Sequence, residues 1–198
     1  MKLGREFYRR AETLVVARGL LGKLLVVPAE DGARVSGRVV EVEAYVGTDD
    51  RASHAHGGRR TARTETMYAA GGVAYVYLVY GLHHQFNVVT GPQGEPHAVL
   101  VRALEPTEGV EVMRRRRAVR EDRALASGPG KLCRALAIDR GFDGEDLTGA
   151  RVWLEDDGFR VEPSQVAAGP RVGVAYAAED ARRPYRFWLR GNAFVSKK

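Results

Sequence analysis

The chain has 198 residues, 44% of them hydrophobic and 28% charged, with a formal net charge of +6. That is the profile of a soluble globular protein with chain enough for one good-sized core or two small ones. It excludes a bilayer span, because the most apolar stretch, Leu14 to Val27, is broken by Arg18, Gly22 and Lys23.

Residues 5 to 22 read as helical, with apolar pairs at Phe7 and Tyr8, Leu14 and Val15, and Leu20 and Leu21, closed by Gly22. A strand over 23 to 28 and a turn at Glu30, Asp31 and Gly32 lead into a long strand, 34 to 46. Along its second half Val40, Val42, Ala44 and Val46 alternate, so one face is apolar and the other carries Glu41, Glu43 and Tyr45. A polar, arginine-rich loop follows from about 47 to 66. "VAYVYLVYG" (73–81), "FNVVTG" (86–91) and "HAVLVRALEP" (97–106) read as strands. Thr107 is a good N-cap for a helix in "TEGVEVMRRRR". "GPGKLCRALAID" opens a second helix with Leu132 and Leu136 on one face, and short strands are expected in "RVWLED", "RVGVAY" and "YRFWLRG". No internal repeat or long linker interrupts this order. The pattern predicts an α+β fold, one domain over residues 1–198, with a curved, mostly antiparallel β-sheet and flanking helices.

Cys133 is the only cysteine, which excludes an internal disulfide and a cysteine-built metal site. The N-terminus has no signal-peptide pattern, so a cytoplasmic protein is expected. The positive balance suits a polyanionic partner, nucleic acid first. Arginine outnumbers lysine 26 to 5, which fits phosphate recognition and equally a GC-rich genome. "SGPGKL" is no phosphate loop, since Leu132 stands where the Walker pattern needs Ser or Thr. A tight turn into a core helix is the preferred reading there, over a helix N-terminus holding one DNA phosphate. The run Arg114 to Arg117 reads as a solvated face paired with Glu108 and Glu111 rather than a dedicated DNA contact. His54, His56, His83, His84 and His97 match no zinc spacing, so neither metal nor other cofactor is expected.

Arg102 interrupts the apolar strand "AVLV-ALEP" and needs a partner, because a charge buried alone is costly. Glu43 on a neighbouring strand is a candidate; taken alone it reads as a surface carboxylate, and Tyr45 as a rim aromatic. Tyr75 and Tyr77 share a strand face, where Tyr75 fits simple packing on the sheet. Tyr80 points the other way, beside Gly81 at a strand end, as exposed apolar surface on a hairpin tip. Asn87, after the turn-like "GLHHQF", reads as a turn amide satisfied by backbone.

Five blocks together, "RVVEVEAYVGTDDRASHAHGGRRTART", "AYVYLVYGLHHQFNVV", "AVLVRALEP", "GPGKLCRALAI" and "RPYRFWLRGNAFVS", resemble the alkyladenine (3-methyladenine) DNA glycosylase family. The similarity covers about residues 4 to 196, with the blocks in the same order. The resemblance implies a monofunctional enzyme of base excision repair that works in the bacterial cytoplasm on the nucleoid. Such an enzyme hydrolyses the N-glycosidic bond of alkylated or deaminated purines after base flipping, with no metal and no covalent intermediate. It implies Glu43 as the general base that activates water, with Arg102 holding the water and the carboxylate, and the backbone carbonyl of Val172 as a further water ligand. Tyr45, His54 and Tyr77 would form the base pocket, Asn87 would reject the exocyclic amine of guanine, and Tyr80 would intercalate where the flipped base was. The implied partner is double-stranded DNA containing damaged purines, bound by a monomer with no membrane involved. Leu82, His83, His84 and Gln85 depart from the bulkier aromatics or cysteine of many relatives, and His56 has no implied role. Two other classes are a non-catalytic nucleic-acid binding module with tyrosine stacking platforms and a metal-dependent hydrolase built on the histidines. A pure binder has no need of Glu43 beside a buried arginine, and the hydrolase would lose activity to a chelator.

Overall fold

The computed structural model describes residues 1–29 and 32–197. In chain order the elements are α1 (Arg5–Tyr8), α2 (Thr13–Leu20), β1 (Leu24–Pro28), β2 (Arg34–Val46), β3 (Ala74–Val79), β4 (His83–Thr90) and β5 (His97–Glu108). They continue with α3 (Val110–Arg117), α4 (Arg123–Ala126), α5 (Pro129–Leu136), β6 (Trp153–Glu155), β7 (Val166–Gly169) and β8 (Arg186–Leu189). The strands form one open sheet in the order β3-β4-β5-β2-β1-β6, with β8 also on β2 and β7 on β8. Every pairing is antiparallel. The α+β expectation therefore holds.

β2 is the spine. β5 runs along one edge, while the other edge is shared by β1, opposite Arg34 to Arg38, and β8, opposite Glu41 to Glu43. Val39 pairs with Leu104, Glu41 with Ala103 and Val42 with Val101, so Val40 is an extra residue in β2 and Arg102 an extra residue in β5. A bulge shifts the two-residue alternation by one. Before it Val35 and Val39 face the core; after it Val40, Val42 and Ala44 do, all fully buried. The core lies between this face and the helices, filled by Val16 and Leu20 of α2, Met113 of α3, Leu125 of α4, and Leu132 and Leu136 of α5. On the opposite face the segment 47–69 packs Ala55 and Met67 against Tyr75, Tyr77 and Ala98. One face of the sheet thus holds the fold together, and the other is lined by aromatics and carboxylates.

The expected elements survive with corrections. The helix over 5 to 22 is two helices, because the Tyr8 carbonyl accepts from the Gly91 N–H at 2.9 Å instead of continuing the helix. Thr107 is not an N-cap: β5 continues through it, its hydroxyl meets Ser36 Oγ at 2.8 Å, and α3 starts after Gly109 in the left-handed region, φ 66°. A Cβ at Gly109 would lie 2.7 Å from the Arg34 carbonyl oxygen, so only glycine fits. β4 begins at His83, which leaves only Tyr80, Gly81 and Leu82 in the turn and puts Asn87 inside a strand opposite Tyr75. "RVGVAY" is not a strand: Arg171 is buried, the Val172 N–H goes to a carboxylate, and a 3₁₀ segment starts at Ala175. The strand there is β7, just before it. Of the turn expected at Glu30, Asp31 and Gly32, the first two lie outside the described residues; Gly32 is a bend with φ 80°.

Candidate active site

The sequence-predicted residues converge. A cavity of about 520 Å³ opens on the polar face of the sheet, lined by Glu43 and Tyr45 from β2, Leu100 and Arg102 from β5, Tyr75 and Tyr77 from β3, and Gln85 and Asn87 from β4. His54, Arg63 and Met67 close it from the segment after β2, and Val172 and Tyr176 from the segment after β7. A volume of this size falls in the ~300–1,000 Å³ range of small-molecule sites.

Glu43 is fully buried at the wall of the cavity. Its Oε1 accepts from the Val172 N–H at 2.7 Å, and its Oε2 from the Tyr45 hydroxyl at 2.9 Å. Arg102 approaches Oε1 with Nη1 at 3.3 Å. Its hydrogen bonds go elsewhere, from Nε to Glu41 Oε1 at 2.9 Å and from Nη2 to Ser196 Oγ at 3.3 Å. Burial raises the Glu43 carboxyl above the ordinary carboxylate range, against the lowering effect of Arg102, the Val172 N–H and Tyr45, with Glu41 adding to the rise. A carboxylate offers about four acceptor sites. The donors here leave room for one more, and a carboxyl poised above its usual range takes a proton more readily at neutral pH.

The aromatic walls are mutually fixed. Tyr75 and Tyr77 lie with ring centroids 5.1 Å apart, and His54 meets Tyr77 edge-on at 4.6 Å. His54 Nδ1 is 3.0 Å from the Tyr75 hydroxyl, and Tyr77 donates to Gln85 Oε1 at 2.7 Å. Burial, with the charges of Arg63 and Arg59, pulls His54 down to about 4, so the ring is neutral at physiological pH. Burial pushes Tyr75 up to about 12 and Tyr45 well above its usual value, which keeps both hydroxyls protonated. The Asn87 amide is tied down: Nδ2 donates to the Tyr75 carbonyl at 3.0 Å. The expected backbone satisfaction of Asn87 is present, but from a strand rather than a turn.

At the rim the β3–β4 turn projects Tyr80, 92% exposed, and Leu82, 77% exposed. Tyr80 has φ 51° and Gly81 φ 70°. A non-glycine residue in the left-handed region costs of order 1–3 kcal/mol, a strain that concentrates at functional positions.

A profile of the methylpurine-DNA glycosylase family matches residues 6–193. The chain belongs to the methylpurine-DNA glycosylase family. Among curated relatives, a Desulfitobacterium hafniense (strain Y51) protein is 47% identical over 205 residues, covering 100% of this chain and 99% of the relative. A Bacillus cereus (strain G9842) protein is also 47% identical, and a Clostridium perfringens (strain SM101 / Type A) protein 42%, each over 207 residues and the whole of both chains. All three are assigned the name 3-methyladenine DNA glycosylase. The protein is thus a DNA glycosylase, a hydrolase of DNA repair. No helix among the described residues of this glycosylase is long and apolar enough to cross a membrane.

Some residues around the glycosylase cavity escaped the sequence reading. Glu41, fully buried, is the closer partner of Arg102 and also accepts from Arg186 Nε at 2.7 Å and from the Ser196 N–H at 2.6 Å. Arg171 grips Asp50, with Nη2 to Oδ1 at 2.7 Å, and its guanidinium lies 4.8 Å from the Tyr45 ring centroid. Arg63 stacks over Tyr77 at 4.9 Å, and the Tyr176 hydroxyl donates to the Ala52 carbonyl. The signal that flagged Arg102, a charge inside an apolar strand, is equally present at Arg186 in "YRFWL". The arginine run is largely spent inside the fold: Arg114 pairs with Glu111 and Asp122, and Arg117 donates to the Ala124 and Leu125 carbonyls. Glu108 instead pairs with Arg34. His56 caps its own loop through Nδ1 and the Thr48 carbonyl, 3.0 Å apart.

Proposed function

We propose that this glycosylase releases alkylated and deaminated purines, 3-methyladenine among them, from double-stranded DNA by water-mediated hydrolysis of the N-glycosidic bond. The relatives' name supplies the first substrate. The observation that carries the mechanism is Glu43: a buried carboxyl with a raised pKa, oriented from two sides, at the wall of an aromatic cavity. Glu43 takes a proton from a water; the water oxygen bonds to the sugar C1′; the C1′–N bond breaks and its electron pair leaves with the purine. Products are the free base and an abasic site. Arg102, 3.3 Å from Glu43 Oε1, helps hold the water beside the carboxylate, and the Val172 carbonyl is a further ligand for the water.

The target base must leave the stack to reach the cavity, at a cost of a few kcal/mol that is least for a damaged or mispaired base. Tyr80 offsets that cost by inserting into the duplex, and its strained, exposed position on a two-stranded tip suits a wedge. Tyr45, His54 and Tyr77 receive the base, and a cationic alkylpurine gains from stacking on electron-rich rings. Asn87, its amide held by backbone, is a rigid obstacle to the exocyclic amine of guanine. The test is base release from a panel of duplexes, each carrying one defined lesion. Release of the alkylated and deaminated purines with undamaged guanine left in place is the expected result. Tight binding to every duplex with no release from any would reduce the protein to a binding module.

A further inference from the structure

Glu41 precedes Glu43 by two residues on the same face of β2, yet it does not line the cavity. The excision chemistry needs one base, and a second fully buried carboxylate is costly unless it is paired. Glu41 is paired twice, with Arg102 Nε at 2.9 Å and Arg186 Nε at 2.7 Å, and accepts the Ser196 N–H through its other oxygen. Arg102 is therefore divided between two carboxylates. It hydrogen-bonds Glu41 and stands 3.3 Å from Glu43. As the extra residue of the β5 bulge, Arg102 has no register partner, so its side-chain contacts decide where it points.

We propose that Glu41 is a positioning residue: by holding Arg102 to itself it prevents that guanidinium from closing on Glu43, and so leaves Glu43 able to accept a proton from water. The inference rests on Glu43 being the base. A guanidinium seated on a carboxylate in two-point fashion stabilises the charged form by ~1–3 pH units and occupies its lone pairs. Asp50 shows that outcome within this molecule, gripped by Arg171 and held below the ordinary carboxylate range despite its burial. The charged and titratable groups around Glu43 are Glu41 and Tyr45 on β2, His54 and Arg63 on the segment after β2, Arg102 on β5, Tyr77 on β3, Arg186 across the ladder on β8, and Arg171 and Tyr176 on the segment after β7. Of the nearby cations, Arg171 is committed to Asp50, Arg186 to Glu41, and Arg63 lies over the Tyr77 ring. Arg102 alone is shared.

The experiment is single-turnover release of 7-methylguanine from a duplex, followed across acid and neutral pH. That base is already cationic, so its departure needs no proton and the acidic limb reports the base. Wild type should show a rate rising with pH, and Glu43→Gln should lose that limb. Glu41→Gln should move the limb to lower pH by about one unit, since Arg102 then closes on Glu43 and a neighbouring negative charge is gone. Arg186→Gln should move it the other way, since Glu41 then draws Arg102 wholly to itself. A merely structural Glu41 would change melting temperature and rates at every pH without moving the limb. A folded Glu41→Gln or Arg186→Gln protein whose limb stays at the wild-type pH overturns the proposal. Should Glu41→Gln not fold, the upward shift in Arg186→Gln decides alone. A wild-type limb that is missing, or that survives in Glu43→Gln, overturns the assignment of the base itself, and the role of Glu41 with it.

Discussion

Asp50 and Glu43 are both fully buried and both face an arginine, yet their pKa values move in opposite directions. Burial penalises the charge of each. For Asp50 the penalty is overcome by the two-point contact with Arg171 and by the Val46 and Ala52 N–H groups. For Glu43 it is not overcome: Arg102 lowers the pKa from 3.3 Å away but places its hydrogen bond on Glu41, whose charge adds to the rise. One carboxylate is closed into a strut that ties the loop after β2 to the segment after β7. The other keeps acceptor capacity and faces a cavity. Burial beside an arginine therefore does not mark a base; the distribution of that arginine's donors does.

The contrast breaks most sharply at Glu43. Glu43→Gln should lower excision by ~10²-fold or more, read in single turnover on the best lesion. Its effect on stability should have the opposite sense. A carboxyl raised by folding contributes stability below its unfolded pKa and loses it as pH rises through the folded value. Removing that charge should leave the melting temperature unchanged in acid and unchanged or higher at neutral pH, with Arg102 still paired to Glu41. Near wild-type excision by Glu43→Gln would sink the mechanism, and a large loss of stability would mean that Glu43 is a counter-ion.

At Asp50 the sign reverses. Asp50→Asn leaves Arg171 buried without its counter-charge and should cost about 3–5 kcal/mol, measured by chemical denaturation. In wild type this contribution is present above the unfolded aspartate pKa and fades as pH falls through the lowered folded value. A loss under ~0.5 kcal/mol would show that the two ion pairs are equivalent after all.

The smaller tests fall on the exposed tip of the β3–β4 hairpin and on the buried amide of β4. Tyr80→Ala should weaken duplex binding and slow excision while shifting stability by no more than ~0.5 kcal/mol. Tyr80→Gly should be more stable than Tyr80→Ala by roughly 1 kcal/mol, since glycine adopts a positive φ without strain. A drop in melting temperature with no loss of excision would place Tyr80 among the packing residues. Asn87→Ala should raise release of undamaged guanine relative to hypoxanthine; equal loss on both would make the amide structural.

The strands and the cavity walls were legible because alternation is local. Glu43 and Tyr45 share a face of β2, and Tyr75 and Tyr77 a face of β3, by parity alone; Arg102 declares itself as a charge in an apolar run, and the family resemblance joined Tyr77 to the pocket. What stayed hidden was long-range or irregular. Glu41 stood on the correct face, but its partners Arg186 and Ser196 lie at the far end of the chain, and nothing local pairs them. "RVGVAY" alternates like a strand, yet its amide serves a carboxylate and its arginine serves Asp50, so side-chain chemistry overrides β propensity. Thr107 had cap chemistry, and Ser36 claimed its hydroxyl across the β2–β5 ladder.

The extra residue at Val40 makes β2 a strand with two phases. A strand reads its neighbours by odd and even position, and position 40 is where that count is reset. Were the bulge straightened with Val40 still in the ladder, everything from Glu41 to Tyr45 would exchange sides: the carboxylates and the tyrosine would turn toward the helices, and Val42 and Ala44 toward the cavity. Val40 presents no chemistry of its own. Loss of that one codon would restore unbroken alternation from Val39 to Glu41 and keep the carboxylates on the cavity face, whereas one residue inserted beside it would turn them toward the helices while leaving every functional residue in the chain.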